Sequence, residues 1–116
     1  MNEDYVSFEV AKLLKEKGFD LPCQAFYDND RVLIVSPVHT VNDELEDSDI
    51  ACPTLYVAQK WLREVQGIHI VIDFKSKDSW YYRIYDLDEN ELIEQSEEYF
   101  NTYEGALQAG ILESLK

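Results

Sequence analysis

The chain has 116 residues, 24 of them acidic and only 10 basic, for a formal net charge of −14. A field of that sign repels phosphate backbones and anionic lipid and attracts basic protein surfaces, so partners are sought among proteins before nucleic acid or membrane. With 46% hydrophobic and 13% aromatic residues the composition excludes a disordered acidic tail, and one core suffices at this length, which predicts a single α+β domain over residues 1–116.

No apolar run approaches the roughly 20 residues that span a bilayer. The start Met1-Asn2-Glu3-Asp4 has neither the basic opening nor the apolar centre of a signal peptide, so the expected location is cytoplasmic. A reducing compartment then favours Cys23 and Cys52 as buried thiols over a disulfide.

From Ser7 to Lys17 the positions Val10, Ala11, Leu13 and Leu14 repeat at helical spacing, with Ser7 placed to cap the start and Gly18 to end the helix. After Pro22, the runs 23–27 and 31–36 flank Asp28-Asn29-Asp30 and read as a hairpin. Residues 37–53 contain Asn42-Asp43-Glu44-Leu45-Glu46-Asp47-Ser48-Asp49, whose carboxylates repel one another, and they read as a solvated loop.

A second helix starts near Thr54, with Ala58, Trp61, Leu62 and Val65 as its apolar stripe and Gly67 as its stop. Alternation along residues 68–74 predicts a strand, and a turn over 75–79 leads into a second strand over 80–87. Asp88-Glu89-Asn90 makes a further turn, and residues 91–95 add an edge strand whose charges discourage more pairing. Asn101-Thr102-Tyr103-Glu104 has the spacing of a capping box, ahead of a helix that buries Tyr103, Ala106, Leu107, Ile111 and Leu115.

The expected fold is therefore α+β, a mostly antiparallel sheet of four or five strands with three helices, in the order α-β-β-α-β-β-(β)-α. Ser7 to Ala11 and Thr54 to Ala58 share Ser/Thr-x-x-Val-Ala, but capping preference alone favours that pattern, and two short units fall short of a repeat protein.

Three segments carry a resemblance: Asp4-Tyr-Val-Ser-Phe-Glu-Val-Ala-Lys-Leu-Leu-Lys-Glu-Lys-Gly-Phe19; Pro53-Thr54 with Ala58-Gln-Lys-Trp-Leu-Arg-Glu64; and Thr102-Tyr-Glu with Ala106 and Ala109-Gly-Ile111. They resemble short uncharacterised proteins carried by phages and prophages of gut bacteria. The resemblance implies a mobile-element origin and a host-cell setting, and it brings no activity and no site residues.

Catalytic and ligand motifs are sparse. Nucleophilic hydrolysis needs a histidine between a nucleophile and a carboxylate, and only His39 and His69 are present, one in the expected loop and one on a strand facing away from Ile68 and Ile70. The four glycines are isolated and build no phosphate cradle. Cys23, His39, Cys52 and His69 are scattered singly, unlike the close pairs of a zinc site. Asp86-Leu-Asp88-Glu-Asn90 with Glu97 matches calcium-loop positions one, three, five and twelve, but Glu91 stands where that loop needs glycine. No enzyme, cofactor or metal is expected.

Two features point to binding. In the strand over 80–87, Trp80, Tyr82 and Ile84 share one face while Tyr81, Arg83 and Tyr85 share the other, and Tyr and Arg are enriched in the energetic centres of interfaces. The second is acidic: Asp43, Glu44, Glu46, Asp47 and Asp49, with the stretch from Asp86 to Glu98, can imitate phosphates on a host protein's basic surface. The leading expectation is a non-enzymatic phage or prophage accessory protein that binds a host protein, with a second copy of the chain as another partner for the Tyr81 face. The alternative is a protein that sequesters a nucleotide signal through Trp80, Tyr81, Arg83 and Tyr85, which demands an unpaired Arg or Lys beside the aromatics.

Overall fold

The computed structural model describes residues 4–46 and 48–116; Met1 to Glu3, part of the signal-peptide reading, and Asp47 of the acidic stretch lie outside the described residues. Among the described residues the fold is α+β, with three helices and six strands in two antiparallel three-stranded sheets, in the order α-β-β-β-α-β-β-β-α. No helix among them is long and apolar enough to cross a membrane. The chain divides into two compact units, one up to Thr54 and the other from Leu55 to Ser114, with Leu115 grouped with the first and Lys116 with the second.

In the first unit, helix α1 spans Phe8–Glu16 because Ser7 Oγ accepts the Val10 N–H at 3.2 Å and Gly18, at φ +92°, turns the chain off its end. Val10, Ala11 and Leu14 form its buried stripe. Strands β1 (Cys23–Tyr27) and β2 (Leu33–Thr40) make the expected hairpin. Asp28 Oδ1 accepts the N–H groups of Asp30 and Val32 at 2.9 and 3.0 Å. The strand starts at Leu33 and not at Arg31, since Arg31 occupies the left-handed region at φ +63° inside the turn.

The stretch 37–53 is not one solvated loop. Pro37, Val38 and His39 belong to β2, which tolerates proline because it is an edge strand whose register is irregular opposite Cys23 to Ala25. A 3-10 turn follows at Asn42–Glu44, and the short strand β3 (Ile50–Ala51) adds to β1 through the pairs Phe26↔Ala51 and Tyr27↔Ile50, giving the order β2-β1-β3. The apolar run Ile50-Ala51-Cys52 forces this arrangement, since leaving it exposed beside the carboxylates would forgo its burial. Asn42 is buried as well: its Nδ2 donates to Phe19 O at 2.9 Å, and its Oδ1 accepts the Ala51 N–H at 2.8 Å.

Helix α1 packs against β3, and Val6, Phe19, Cys23, Ala25 and Cys52 complete this core. Tyr27 donates to Val6 O at 2.7 Å while its ring meets Phe8 edge-on at 5.5 Å. Burial pushes the Cys23 thiol up to about 11, and burial, aided by the nearby Cys23, pushes Cys52 up to about 12. Tyr27 rises to about 12 through burial and then its neighbour Cys52. Each raised value means that the folded state favours the protonated form while the unfolded chain releases its proton at lower pH. Stability should therefore hold up to about pH 9 and fall as pH rises toward about 12, which denaturant titrations across that window will test. A flat profile over the window would contradict the buried protonated thiols.

In the second unit, α2 spans Leu55–Trp61 and continues as a single π-helical turn, Leu62–Gln66, ended by Gly67 at φ +69°. Leu55, Ala58, Trp61 and Leu62 are buried as the stripe requires, but Val65 is 61% exposed. The wider turn, with bonds from i to i+5, carries Val65 past the buried face on which regular α spacing would place it.

Strands β4 (Ile68–Ser76), β5 (Ser79–Asp86) and β6 (Glu91–Gln95) form a meander in the order β4-β5-β6. The β4–β5 strands extend closer together than the turn over 75–79 implied, leaving only Lys77 and Asp78 between them. At the β4 edge, Gln59 Nε2 from α2 donates to Ile70 O at 2.9 Å.

Helix α3 (Tyr103–Ser114) lies on the inner face of β4 and β5 and against α2, burying Ala106, Leu107, Gly110 and Ile111. The cap is Thr102 and not Asn101: Thr102 Oγ1 accepts the Gly105 N–H at 2.9 Å, and Glu104, the other half of the expected box, accepts a bond from Tyr56 Oη at 3.3 Å. Tyr103 is half-buried, its ring edge-on to Trp80 at 5.7 Å. Gly110 permits the close approach of helix and sheet, since a Cβ there would stand 2.9 Å from Ile70 Cγ2 and 3.1 Å from Tyr82 Cβ.

Candidate functional site

Alternation along β5 sends Tyr82 and Ile84 into the core, at 7% and 3% exposure, and sets Tyr81, Arg83 and Tyr85 on the face opposite α3, all three half-buried. Antiparallel pairing places Asp73, Val71 and His69 of β4 opposite those three residues, while β6 brings Gln95 opposite Arg83 and Leu92 opposite Tyr85. The face is thus continuous across three strands.

Arg83 organises its centre. Its Nη2 donates to Tyr81 Oη at 2.8 Å, its Nε to Gln95 Oε1 at 3.2 Å and its Nη1 to Asp73 Oδ2 at 3.4 Å, while the guanidinium lies 5.1 Å from the Tyr81 ring centroid. An ion pair this exposed contributes little stability, about 0–1 kcal/mol. Its effect is positional, because it fixes the Tyr81 ring at the middle of the face.

Tyr99 extends the face and was not legible in the sequence. An isolated bridge, Trp80↔Phe100, returns the chain to β5 through Trp80 N–H to Phe100 O at 2.8 Å and Phe100 N–H to Trp80 O at 2.7 Å. Ser96 is held to Tyr82 at the other end, its N–H donating to Tyr82 O at 3.0 Å, so residues 97–99 bulge beside Tyr81. Tyr99 meets the Tyr81 ring edge-on at 5.7 Å, and Lys75 Nζ lies 5.4 Å from the Tyr99 centroid. The only local hint was the broken alternation after Gln95.

His69 and Tyr85 line a shallow cavity of about 390 Å³ together with Val71, Asp86, Leu87 and Asn90. His69 Nδ1 is buried with no hydrogen-bond partner among the described residues, and burial followed by the Arg63 charge holds its pKa below the ordinary histidine value. Both effects favour the neutral ring, and no carboxylate among the described residues orients Nδ1. His39 is not in a loop; it stands exposed on β2.

On the other side of the second sheet an open groove of about 590 Å³ is lined by Glu94, Glu97, Glu98 and Glu113, with Tyr82 at its base. Tyr82 donates to Glu94 Oε2 at 3.3 Å, and burial, then Glu94 and Glu113, push its phenol up to about 12. Among the described residues neither of these two depressions has an Arg or Lys in its lining.

Of the acidic candidates in the first unit, Asp43 and Glu44 stand exposed on the 3-10 turn and Glu46 is exposed beyond it. Asp49 is half-buried, its carbonyl accepting Lys15 Nζ at 3.1 Å. Asp47 lies outside the described residues.

The calcium-like stretch is a hairpin connection. Asp86 Oδ1 accepts the N–H groups of Asp88 and Glu89 at 2.9 and 3.3 Å, and residues 91–95 then extend as β6, carrying Glu97 away from Asp86 instead of folding back to it. Among the described residues no three His, Cys, Asp or Glu side chains are grouped to hold a metal ion. No protein-family model matches the chain, and neither a curated protein nor a solved structure matches it.

Proposed function

We propose that this chain is a non-enzymatic phage or prophage accessory protein that binds a host protein through the Tyr81–Arg83–Tyr85 face of its second sheet. The observation that carries the reading is that face itself: Tyr81 and Tyr85 half-buried, Tyr99 at 52% exposure beside them, and an arginine hydrogen-bonded to Tyr81. Preordered tyrosines supply large contact area at low entropic cost, and Tyr and Arg dominate the energetic centres of interfaces. The net charge of −14 supports a basic partner surface, on which Asp43, Glu44, Glu46 and the stretch from Asp86 to Glu98 would stand in for phosphates.

The nucleotide-sequestering alternative has less support, because Arg83 is engaged by Asp73, Gln95 and Tyr81 and the cavity beside Tyr85 carries Asp86 where a phosphate would need a cation. The test is co-purification with the tagged chain from a bacterial host. Tyr81→Ser combined with Tyr85→Ser should release a partner retained by the unchanged chain, while its thermal midpoint drops far less than that of Tyr82→Ala. Retention of the same partner by the double variant, or an equal loss of folding, would overturn the reading.

A further inference from the structure

The groove beside α3 lies wholly within the second unit, and its floor and its rim differ in chemistry. One wall is α3, where Ala109, Leu112 and Glu113 share a face next to the buried stripe and stay only half-buried. The other wall is the chain that follows β6. It is held away from α3 at both ends: Ser96 Oγ accepts the Tyr82 N–H at 3.2 Å and donates to Glu98 O at 3.0 Å, and the bridge from Phe100 to Trp80 fixes the far end. The floor is aromatic, with the Tyr82 and Phe100 ring centroids 6.2 Å apart.

Carboxylates stand over this apolar floor with no cation between them. Glu94 takes the Tyr82 hydroxyl, and Glu113 meets Lys116 only at 3.6 Å in an exposed pair of little energetic weight. Tyr82 is 7% exposed, and its oxygen accepts from no donor among the described residues, so an acceptor site is left open at the groove floor. Glu94, Glu113 and Glu98 all raise the Tyr82 phenol pKa after burial does, which places their charges around that one hydroxyl. They do not converge on a point, since among the described residues no three such side chains are grouped to hold a metal ion. Negative charge spread along an apolar slot matches cations carried on alkyl stems, which bury their methylenes and keep the charged head at the rim.

We propose that this groove receives a basic segment of the partner protein, with the stems of its lysine or arginine side chains against Leu112, Phe100 and Tyr82 and their charged heads on Glu94, Glu98 and Glu113. A second copy of this chain matches poorly. Its Lys12, Lys15 and Lys17 are interrupted by Glu16, its Lys75 and Lys77 stand between Asp73 and Asp78, and each copy carries a net charge of −14. The inference rests on the reading that the partner is a protein with a basic surface, but it uses no residue of the Tyr81 face.

The test is an NMR titration of the isotope-labelled chain, at low salt and about pH 6, with a short synthetic peptide of alternating lysine and alanine. The largest amide shifts are expected at Ser96, Ala109, Leu112 and Glu113. Replacing each lysine by diaminobutyrate keeps the charge and shortens the stem by two methylenes, and it should weaken binding by about fivefold or more. Glu97→Gln, Glu98→Gln and Glu113→Gln together should weaken binding by about tenfold while leaving the spectrum of the rest of the chain in place. Equal affinity for the diaminobutyrate peptide, or the same shifts from magnesium chloride at equal concentration, would reduce the groove to a counterion surface and overturn the proposal. Tighter binding of spermidine than of the peptide would overturn it in favour of a free polyamine, and groove shifts that grow with protein concentration without peptide would do so in favour of a second copy. Loss of peptide binding leaves the double-tyrosine experiment decisive for its own face, so the two readings fail separately.

Discussion

Trp61→Ala should cost about 3–5 kcal/mol, the scale for truncating a large buried aromatic, and lower the thermal midpoint by more than about 10 °C. The indole is 3% exposed and sits at the last residue of α2, directly before the π-helical turn, between buried Ala58 and Leu62. Its removal opens a void that the short helix cannot close without shifting the turn after it. Val65→Ala is the control, because a side chain 61% exposed in the same segment should change stability by no more than about 0.5 kcal/mol. Similar losses from the two substitutions, read by denaturant unfolding, would mean that the turn does not rotate Val65 outward.

Asn42→Ala should be nearly as damaging, at about 2–4 kcal/mol, since it deletes both hydrogen bonds of a buried side chain and takes from the Ala51 N–H its acceptor, a loss that costs about 1–3 kcal/mol for a buried group. Asn42→Asp separates hydrogen bonding from shape. The carboxylate still accepts from Ala51 N–H but faces the Phe19 carbonyl with no proton to donate, so that variant should be unstable at neutral pH and recover partly on acidification. An Asn42→Ala protein as stable as the unchanged chain would reduce the side chain to a bystander.

Asn42 also shows where sequence reading runs out. It opens a run of carboxylates, and nothing local distinguishes a buried asparagine from a solvated one; its burial depends on Phe19 and Ala51, reached only through tertiary packing. Strand β3 is hidden for the same reason, being two residues long and identified by pairing with β1 and not by any period. By contrast α1, the two hairpins and α3 announce themselves through periodicity and turn chemistry, apart from the shift of a cap from Asn101 to Thr102. The candidate face divides the same way. Tyr81, Arg83 and Tyr85 follow from the two-residue period of β5, whereas Tyr99 arrives through a bridge at Phe100 that no local pattern encodes.

The π-helical turn after Trp61 amounts to an extra residue absorbed within the helix while Gly67 still delivers the chain into β4. In an α-helix each residue advances the chain by about 100° around the axis, so rewinding this segment to regular pitch with all its residues kept would rotate everything after it by roughly that angle. The alternation of β4 would then begin out of phase with the face it must bury, Ile70 inward and His69 outward. What residues 62–66 have to preserve is therefore their wide winding, and within the turn Val65, already in solvent, is a position where chemical variation should be freest.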